Sequence, residues 1–229
     1  MKDFVFFLPT RKGSERVLSK NTRKFSNFEG GILELKIKQL LNLNLDIPII
    51  LSTNDELSID VALKFKDDRI KIIERPEHLC QSSTNINDFI NYIPTIFSED
   101  KHVFWLHATS PFVDESTYLK AIEIYNKLDY NFDSLMSVTK IQQFLWNPIN
   151  NSCVNYDRSI VKWPRTQDLQ VLYEINHAFY INSIKNYLKL NDRIGLKPYY
   201  FELDKLKSFD IDWEDDFVVA DKIHKSLFK

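Results

Sequence analysis

Apolar and polar positions follow two rhythms along this chain. Phe4–Leu8 is continuously apolar, the pattern of a strand covered on both faces. Over 33–41 the rhythm changes: Leu33, Ile37, Leu40 and Leu41 share one stripe, which predicts an amphipathic helix. Residues 48–51, 70–73, 102–106 and 134–139 read as further short strands. Helices are expected between them over 59–65, 86–97 and 117–128. Asn54 or Asp55 would open the first, and Pro94 disturbs the second half of the next. This alternation predicts an α/β fold of three layers, a mainly parallel sheet with helices on both faces. Such a sheet collects ligands beyond the carboxyl ends of its strands.

The rhythm breaks over 141–175. Trp146, Pro148, Trp163 and Pro164 lie there among asparagines, with little periodicity, as in an insertion or small subdomain. Strand character returns over 178–181 and 197–203. A last helix over 217–227 follows Glu214-Asp215-Asp216. We read residues 1–229 as one domain carrying that insertion.

Composition narrows the function. Thirty basic residues stand against 32 acidic ones, for a formal charge of -2, which argues against a nonspecific nucleic-acid binder. Cys80 and Cys153 have neither metal-site spacing nor a disulfide framework, so reduced thiols and a cytoplasmic location are expected. No apolar run is long enough to span a membrane, and the first residues make a poor signal peptide.

Chemistry concentrates at the predicted strand ends. Arg11, Arg16 and Lys20 crowd the loop after the first strand, with Thr10, Gly13, Ser14 and Asn21 beside them. Guanidinium forks, a lysine and backbone amides are what a phosphate site uses. A solvated basic loop is the plainer alternative. The segment matches neither a Walker A loop nor a dinucleotide-binding glycine fingerprint. Asp210 and Asp212 would project to one side of an extended backbone, as a pair able to hold Mg²⁺, or would cap the following helix. Arg75 would reach the same cleft or form a surface ion pair with Glu74. Ser52, Thr53 and Asn54 would contact base or ribose, or cap a helix. Asn176 and His177 are candidate substrate contacts, although His177 also suits a core or an interface. His107 and Ser110 lack the third residue and the spacing of a nucleophilic triad.

In order and spacing these segments resemble the acylneuraminate cytidylyltransferases and their relatives that activate other acidic sugars. The family's opening Pro-Ala-Arg-x-Gly-Ser-Lys with a closing Lys-Asn appears here as 9–15 with Lys20-Asn21. Its Ser-Thr-Asp is Ser52-Thr53-Asn54, and its Arg-Pro is Arg75-Pro76. Its Gln-Pro-Thr-Ser-Pro is 107–111, and its Asp-x-Asp is Asp210-Ile211-Asp212. The resemblance implies a Rossmann-like nucleotidyltransferase fold with a small dimerisation insertion, hence a homodimer. It implies transfer of CMP from CTP to the anomeric hydroxyl of a 2-keto acid sugar, with pyrophosphate leaving, for surface polysaccharide synthesis. By the same resemblance Thr10, Arg11, Gly13, Ser14, Arg16, Lys20, Asn21 and Arg75 bind nucleotide. Asn54, His107, Thr109, Ser110, Asn176 and His177 contact the acceptor sugar, and Asp210 and Asp212 hold Mg²⁺. Arg11, Lys20 and the aspartate pair are the catalytic set.

Three departures bear on the substrate. Glu15 stands where the family has lysine, and His107 where it has glutamine. Residues 174–177 replace Arg-Glu-Asn-Gly, losing an arginine suited to a carboxylate. Another sugar nucleotidyltransferase with a changed acceptor or base is therefore the alternative, and a non-catalytic nucleotide-binding protein a more distant one.

Overall fold

The computed structural model describes residues 2–228. β1 (Asp3–Pro9) pairs in parallel with β2 (Ile49–Thr53) on one side and β4 (Lys101–Leu106) on the other. β3 (Ile70–Glu74) extends the sheet beyond β2. On the far side lie β5 (Ser134–Ile141), β8 (Leu172–Ser183) and β9 (Pro198–Leu203), giving the order β3-β2-β1-β4-β8-β5-β9.

The apolar run of β1 explains the layering. Phe4, Phe6 and Leu8 enter one core, whereas Val5 and Phe7 enter the other, because successive side chains point to opposite faces. The first core is closed by α1 (Gly31–Asn42), α2 (Glu56–Leu63), α4 (Glu115–Asn126) and α6 (Glu214–Leu227), through residues such as Leu33, Val61, Tyr118 and Phe217. The second lies under α3 (Ile86–Ile96) and α5 (Ile184–Leu190), through Phe89, Ile93 and Tyr187. Burial of a side chain like Phe7 contributes about 1.5–3 kcal/mol. The expected three-layer α/β architecture is therefore present.

The structure departs from the expected elements at four places. β8 runs through 12 residues and is antiparallel to both β4 and β5. The chain leaves β5, makes the irregular excursion and returns at the same sheet edge, so no crossover helix reverses it. The excursion is consequently shorter than 141–175: Ile141 pairs with Leu172, and 142–171 carry only the two-residue hairpin strands β6 (Trp146–Asn147) and β7 (Ser152–Cys153) and a 3₁₀ turn at 166–168. α2 begins earlier than expected, behind Asp55, whose carboxylate accepts from the Ser58 hydroxyl at 2.7 Å rather than from a helix amide. Helix α5, capped by the Ser183 hydroxyl, has no counterpart among the expected elements. Pro94 lies in the last turn of α3, which ends two residues later.

The antiparallel course of β8 places residues 176–178 beside the carboxyl end of β4 and opposite the middle of β5. There a bulge opposes Ser137, and His177 takes a φ of +58°. Among the described residues no helix is long and apolar enough to cross a membrane, and both cysteines are free.

Candidate active site

After Pro9 the chain enters a long loop at the carboxyl edge of the sheet. Its first residue is fixed to β2: the Thr10 amide donates to the Ser52 carbonyl at 3.0 Å, and its buried hydroxyl to the Thr53 hydroxyl at 2.9 Å. Lys12 follows with its amide on the Asn54 side chain at 2.9 Å. Gly13 adopts a φ of +78° in open space, so backbone conformation rather than crowding calls for glycine. Farther along, the Asn21 carbonyl accepts the Leu33 amide at 2.9 Å, docking the loop on α1. At Gly31, with a φ of +72°, a Cβ would meet that same carbonyl at 2.6 Å.

Arg75 forms part of the floor. It is buried, its Nε donates to the Cys80 Sγ at 3.1 Å, and its NH2 donates to the Thr10 carbonyl. The guanidinium also lies 4.4 Å from the centre of the Phe89 ring. It is not the surface partner of Glu74. Arg11 is less tied, reaching the Gly13 and Cys80 carbonyls at 3.4 Å each, so its fork can turn toward a ligand at small cost.

The loop and the aspartate pair meet. Lys20 Nζ donates to the Ile211 carbonyl at 2.7 Å and lies 4.0 Å from an Asp212 oxygen, which Arg16 NH2 contacts at 3.0 Å. Arg23 adds a two-pronged pair with Glu214 at 2.8 and 3.1 Å. The turn bearing Asp212 is held from within: Asp216 accepts the Asp212 and Trp213 amides at 3.0 and 2.7 Å. Ile211, buried between the two acids, donates its amide to the Thr109 carbonyl at 2.9 Å.

Electrostatics at this junction are opposed. Burial lowers the Lys20 pKa, while Asp210 and Asp212 pull it back up. Burial raises the Asp210 carboxyl and Asp212 adds to the rise, against the pull of Thr109 and Lys20. Asp210 Oδ1 is buried with no hydrogen-bond partner among the described residues. An orphaned carboxylate oxygen beside a second carboxylate is a donor set a hard divalent cation fits. Among the described residues no cluster of three or more His, Cys, Asp or Glu is placed to hold a metal ion, so further ligands would have to come from elsewhere.

Between these walls lies a cleft of about 350 Å³. Thr10, Arg11, Ser14, Arg16, Lys20, Asn21, Arg75, His107 and Thr109 all line it, as does Glu15. Asp212 borders it through its ion pairs with Arg16 and Lys20, and Asp210 lies in the field of Lys20. Gly13 lies outside the lining, at the adjoining back of the loop. Three sequence candidates are committed to the scaffold instead. Asn54 bridges the Lys12 amide and Glu77, the latter at 2.9 Å. Ser110 is buried, and its carbonyl accepts from Lys36 Nζ at 3.0 Å. Asn176 accepts from the Ser137 hydroxyl at 2.6 Å and donates to Thr139, pinning the bulge.

His107 and His177 stand together at the β4 and β8 end, with ring centres 6.5 Å apart. Burial pulls the His107 pKa down to about 3, helped by the charge of Arg193, and lowers that of His177 for the same two reasons. His107 Nε2 is buried without a partner among the described residues. Sequence reasoning passed over the opposite wall, Gln81, Ser82 and Thr84, and the aromatic floor of Phe89 and Trp105. The polar run after Arg75-Pro76 was the available signal for the wall. The floor reads simply as core. Arg193 was also passed over, since only the tertiary fold brings it beside His177.

The fold superimposes on a CMP:2-keto-3-deoxy-manno-octonic acid synthetase complexed with CTP at a TM-score of 0.65, with 11% identity, covering 97% of this chain and 98% of that one. It also matches 4-diphosphocytidyl-2C-methyl-D-erythritol synthase from Anaerococcus prevotii at a TM-score of 0.64, with 15% identity and coverages of 97% and 99%. Both likenesses place the chain in the nucleotidyltransferase fold. The cytidylyltransferase family profile matches residues 5–227, and the chain belongs to that family. Among curated relatives, the pseudaminic acid cytidylyltransferase of Campylobacter jejuni strain 81-176 is 28% identical over 224 residues, 95% of this chain and 94% of its own length. The N-acylneuraminate cytidylyltransferase of Escherichia coli O18:K1:H7 is 24% identical over 220 residues, 94% of this chain. The chain spans about half the length of that relative, 51%.

Proposed function

We propose that this protein transfers CMP from CTP to the anomeric hydroxyl of an acidic 2-keto sugar, releasing pyrophosphate. The observation that carries this reading is the junction of Arg16 and Lys20 with Asp212 across the cleft. Cations that would hold a triphosphate and acids that would hold its counter-ion converge at one place. The relatives' printed substrates, N-acylneuraminate and pseudaminic acid, support an acidic sugar as acceptor.

In this reading the triphosphate lies along Arg11, Ser14, Arg16 and Lys20, with Asn21 and the Arg75-braced Thr10 backbone at its edge. The sugar hydroxyl attacks the α-phosphorus. The bond from that phosphorus to the α–β bridging oxygen breaks, and pyrophosphate leaves with the electron pair. Arg11 and Lys20 stabilise the charge that grows on the departing oxygens, as positioned donors do in phosphoryl transfer. Asp210 and Asp212 would hold Mg²⁺. When bound, the ion supplies charge neutralisation and a lower pKa for the attacking hydroxyl. His107 faces the cleft but, with a pKa near 3, is a poor proton acceptor at neutral pH. It serves as a neutral hydrogen-bonding group, and the hydroxyl proton passes to solvent.

Glu15, on the same lining, puts a negative charge near the triphosphate. Arg16 lies beside it in sequence and is available to bind phosphate once it exchanges its bond to Asp212. We also propose that the arm of residues 142–171 forms a homodimer interface. Ile149, Ile160 and Trp163 are 94%, 80% and 71% exposed there, an apolar surface that a single chain leaves open. A reduced intracellular compartment suits free Cys80 and Cys153.

Turnover of each nucleoside triphosphate against a panel of free acidic sugars, with Mg²⁺ and product detection by mass spectrometry, tests the reading. A CMP-sugar formed from CTP supports it. A product formed only from sugar 1-phosphates, or from another base, overturns it.

A further inference from the structure

One cation near the cleft is used by neither the phosphate loop nor the aspartate junction. Arg193 lies in the connection between α5 and β9. Its guanidinium sits over the Tyr180 ring at 4.2 Å and the Trp105 ring at 5.2 Å. Among the described residues it makes no ion pair, and its one side-chain hydrogen bond is to His177 Nδ1, at 3.2 Å. An arginine has five N–H donors, so most of its fork has no protein partner here.

The same contact fixes the histidine. Arginine only donates, so in its contact with Arg193 His177 Nδ1 is the acceptor, and the Tyr180 hydroxyl at 2.7 Å shares that single lone pair. The imidazole is then neutral and carries its proton on Nε2, leaving a second donor beside the arginine. His107, 6.5 Å from His177 ring to ring, lines the cleft and adds a buried Nε2 without a partner among the described residues. His107 feels the charges of both Lys20 and Arg193.

We infer that Arg193 binds the carboxylate of the acceptor sugar, with His177 and His107 as neutral neighbours that add hydrogen bonds. This inference rests on the acidic-acceptor reading above. A guanidinium presents two parallel N–H groups that match the two oxygens of a carboxylate. Aromatic faces beneath it partly exclude water, which strengthens such a pair. The triphosphate already has Arg11, Arg16 and Lys20 on the first loop, so an anion at Arg193 belongs to the other substrate.

The experiment compares pseudaminic acid and N-acetylneuraminic acid with their methyl esters, in wild type, Arg193→Gln and Arg193→Lys. Wild type is expected to prefer the acids. Arg193→Gln should raise KM for the acid roughly 10- to 100-fold, the scale for losing a hydrogen bond to a charged group, and erase the acid-over-ester preference. KM for CTP should stay within about twofold, and Arg193→Lys should recover part of the preference by keeping the charge. Thermal melts of the three proteins separate a binding loss from a folding loss. If Arg193→Gln keeps the acid-over-ester ratio, or if wild type uses ester and acid alike, Arg193 is not the carboxylate site while the transferase reading stands. If wild type makes a CMP-sugar only from neutral sugars, the acidic-acceptor reading and this inference both fall.

Discussion

Lys20 Nζ donates to the Ile211 carbonyl at 2.7 Å and so ties the first loop to the acidic turn, 191 residues away in sequence. The bond holds the ammonium within 4.0 Å of Asp212 and in the field of Asp210. Replacing Lys20 by Met removes both the tether and a phosphate-facing charge. Affinity for CTP should fall about 10- to 100-fold, the range for charge-assisted contacts. Calorimetric titration checks this, and unchanged affinity would show that Lys20 holds only the scaffold.

Asp210→Asn and Asp212→Asn each keep size and remove the charge a divalent ion would need. Turnover with saturating CTP and Mg²⁺ should fall roughly 10²- to 10³-fold, comparable with losing one preorganised electrostatic contact. The melting temperature should not fall for Asp210→Asn, because burial already penalises that carboxylate's charged form. Raised Mg²⁺ concentrations should recover part of the lost rate. Full activity in both variants would remove the pair from the mechanism.

Gly31 is a backbone requirement that can be tested without touching chemistry. Gly31→Ala would bring a Cβ within 2.6 Å of the Asn21 carbonyl at a positive φ. A loss of more than about 1 kcal/mol in unfolding free energy is expected. Chemical denaturation measures it, and a neutral result would mean that the loop shifts freely relative to α1.

Lys36 supplies a pH signature. It is buried on α1 and donates to the Ser110 and Val113 carbonyls at 3.0 and 3.2 Å and to the Tyr118 hydroxyl at 2.6 Å. Burial lowers its pKa from 10.5 to about 7. Between those values the unfolded chain binds the extra proton, so this residue makes stability rise with pH across that window. Stability measured at pH 7 and pH 9 should therefore rise more in wild type than in Lys36→Met. Equal slopes would place the folded pKa near its ordinary value. Because Lys36 fixes the segment carrying Thr109, the variant should also lose activity.

Wild type should scatter light as a dimer, and Ile160→Glu with Trp163→Glu should give a monomer that keeps its far-ultraviolet circular dichroism. A monomeric wild type at high concentration would leave the exposed apolar residues of the arm without this explanation.

Much of the fold was legible because the layering depends on local periodicity. The continuous run 4–8 marks a strand with both faces covered, and Leu33, Ile37 and Leu40 mark a helix on one of those faces. β8 was legible only in part: Tyr173, Glu174 and Ile175 are exposed and alternate poorly, and an antiparallel return is fixed by where the arm leaves and re-enters the sheet. At the site, a dense loop such as 10–21 announces itself, as does Asp210-Ile211-Asp212. Asn54 and Asn176 carry the same polar groups as binding residues, yet their side-chain bonds are spent inside the fold, and Ser110 is buried. Arg193 stands alone in sequence, so its position over Trp105 and Tyr180 could come only from the tertiary structure.

Nucleotidyl transfer at the α-phosphorus is measured with CTP carrying ³²P at that position. With Mg²⁺ and an acidic sugar acceptor, the label should move into the sugar product while unlabelled pyrophosphate is released. Label retained in free CMP or CDP, or a sugar phosphorylated from the γ-position, would contradict it.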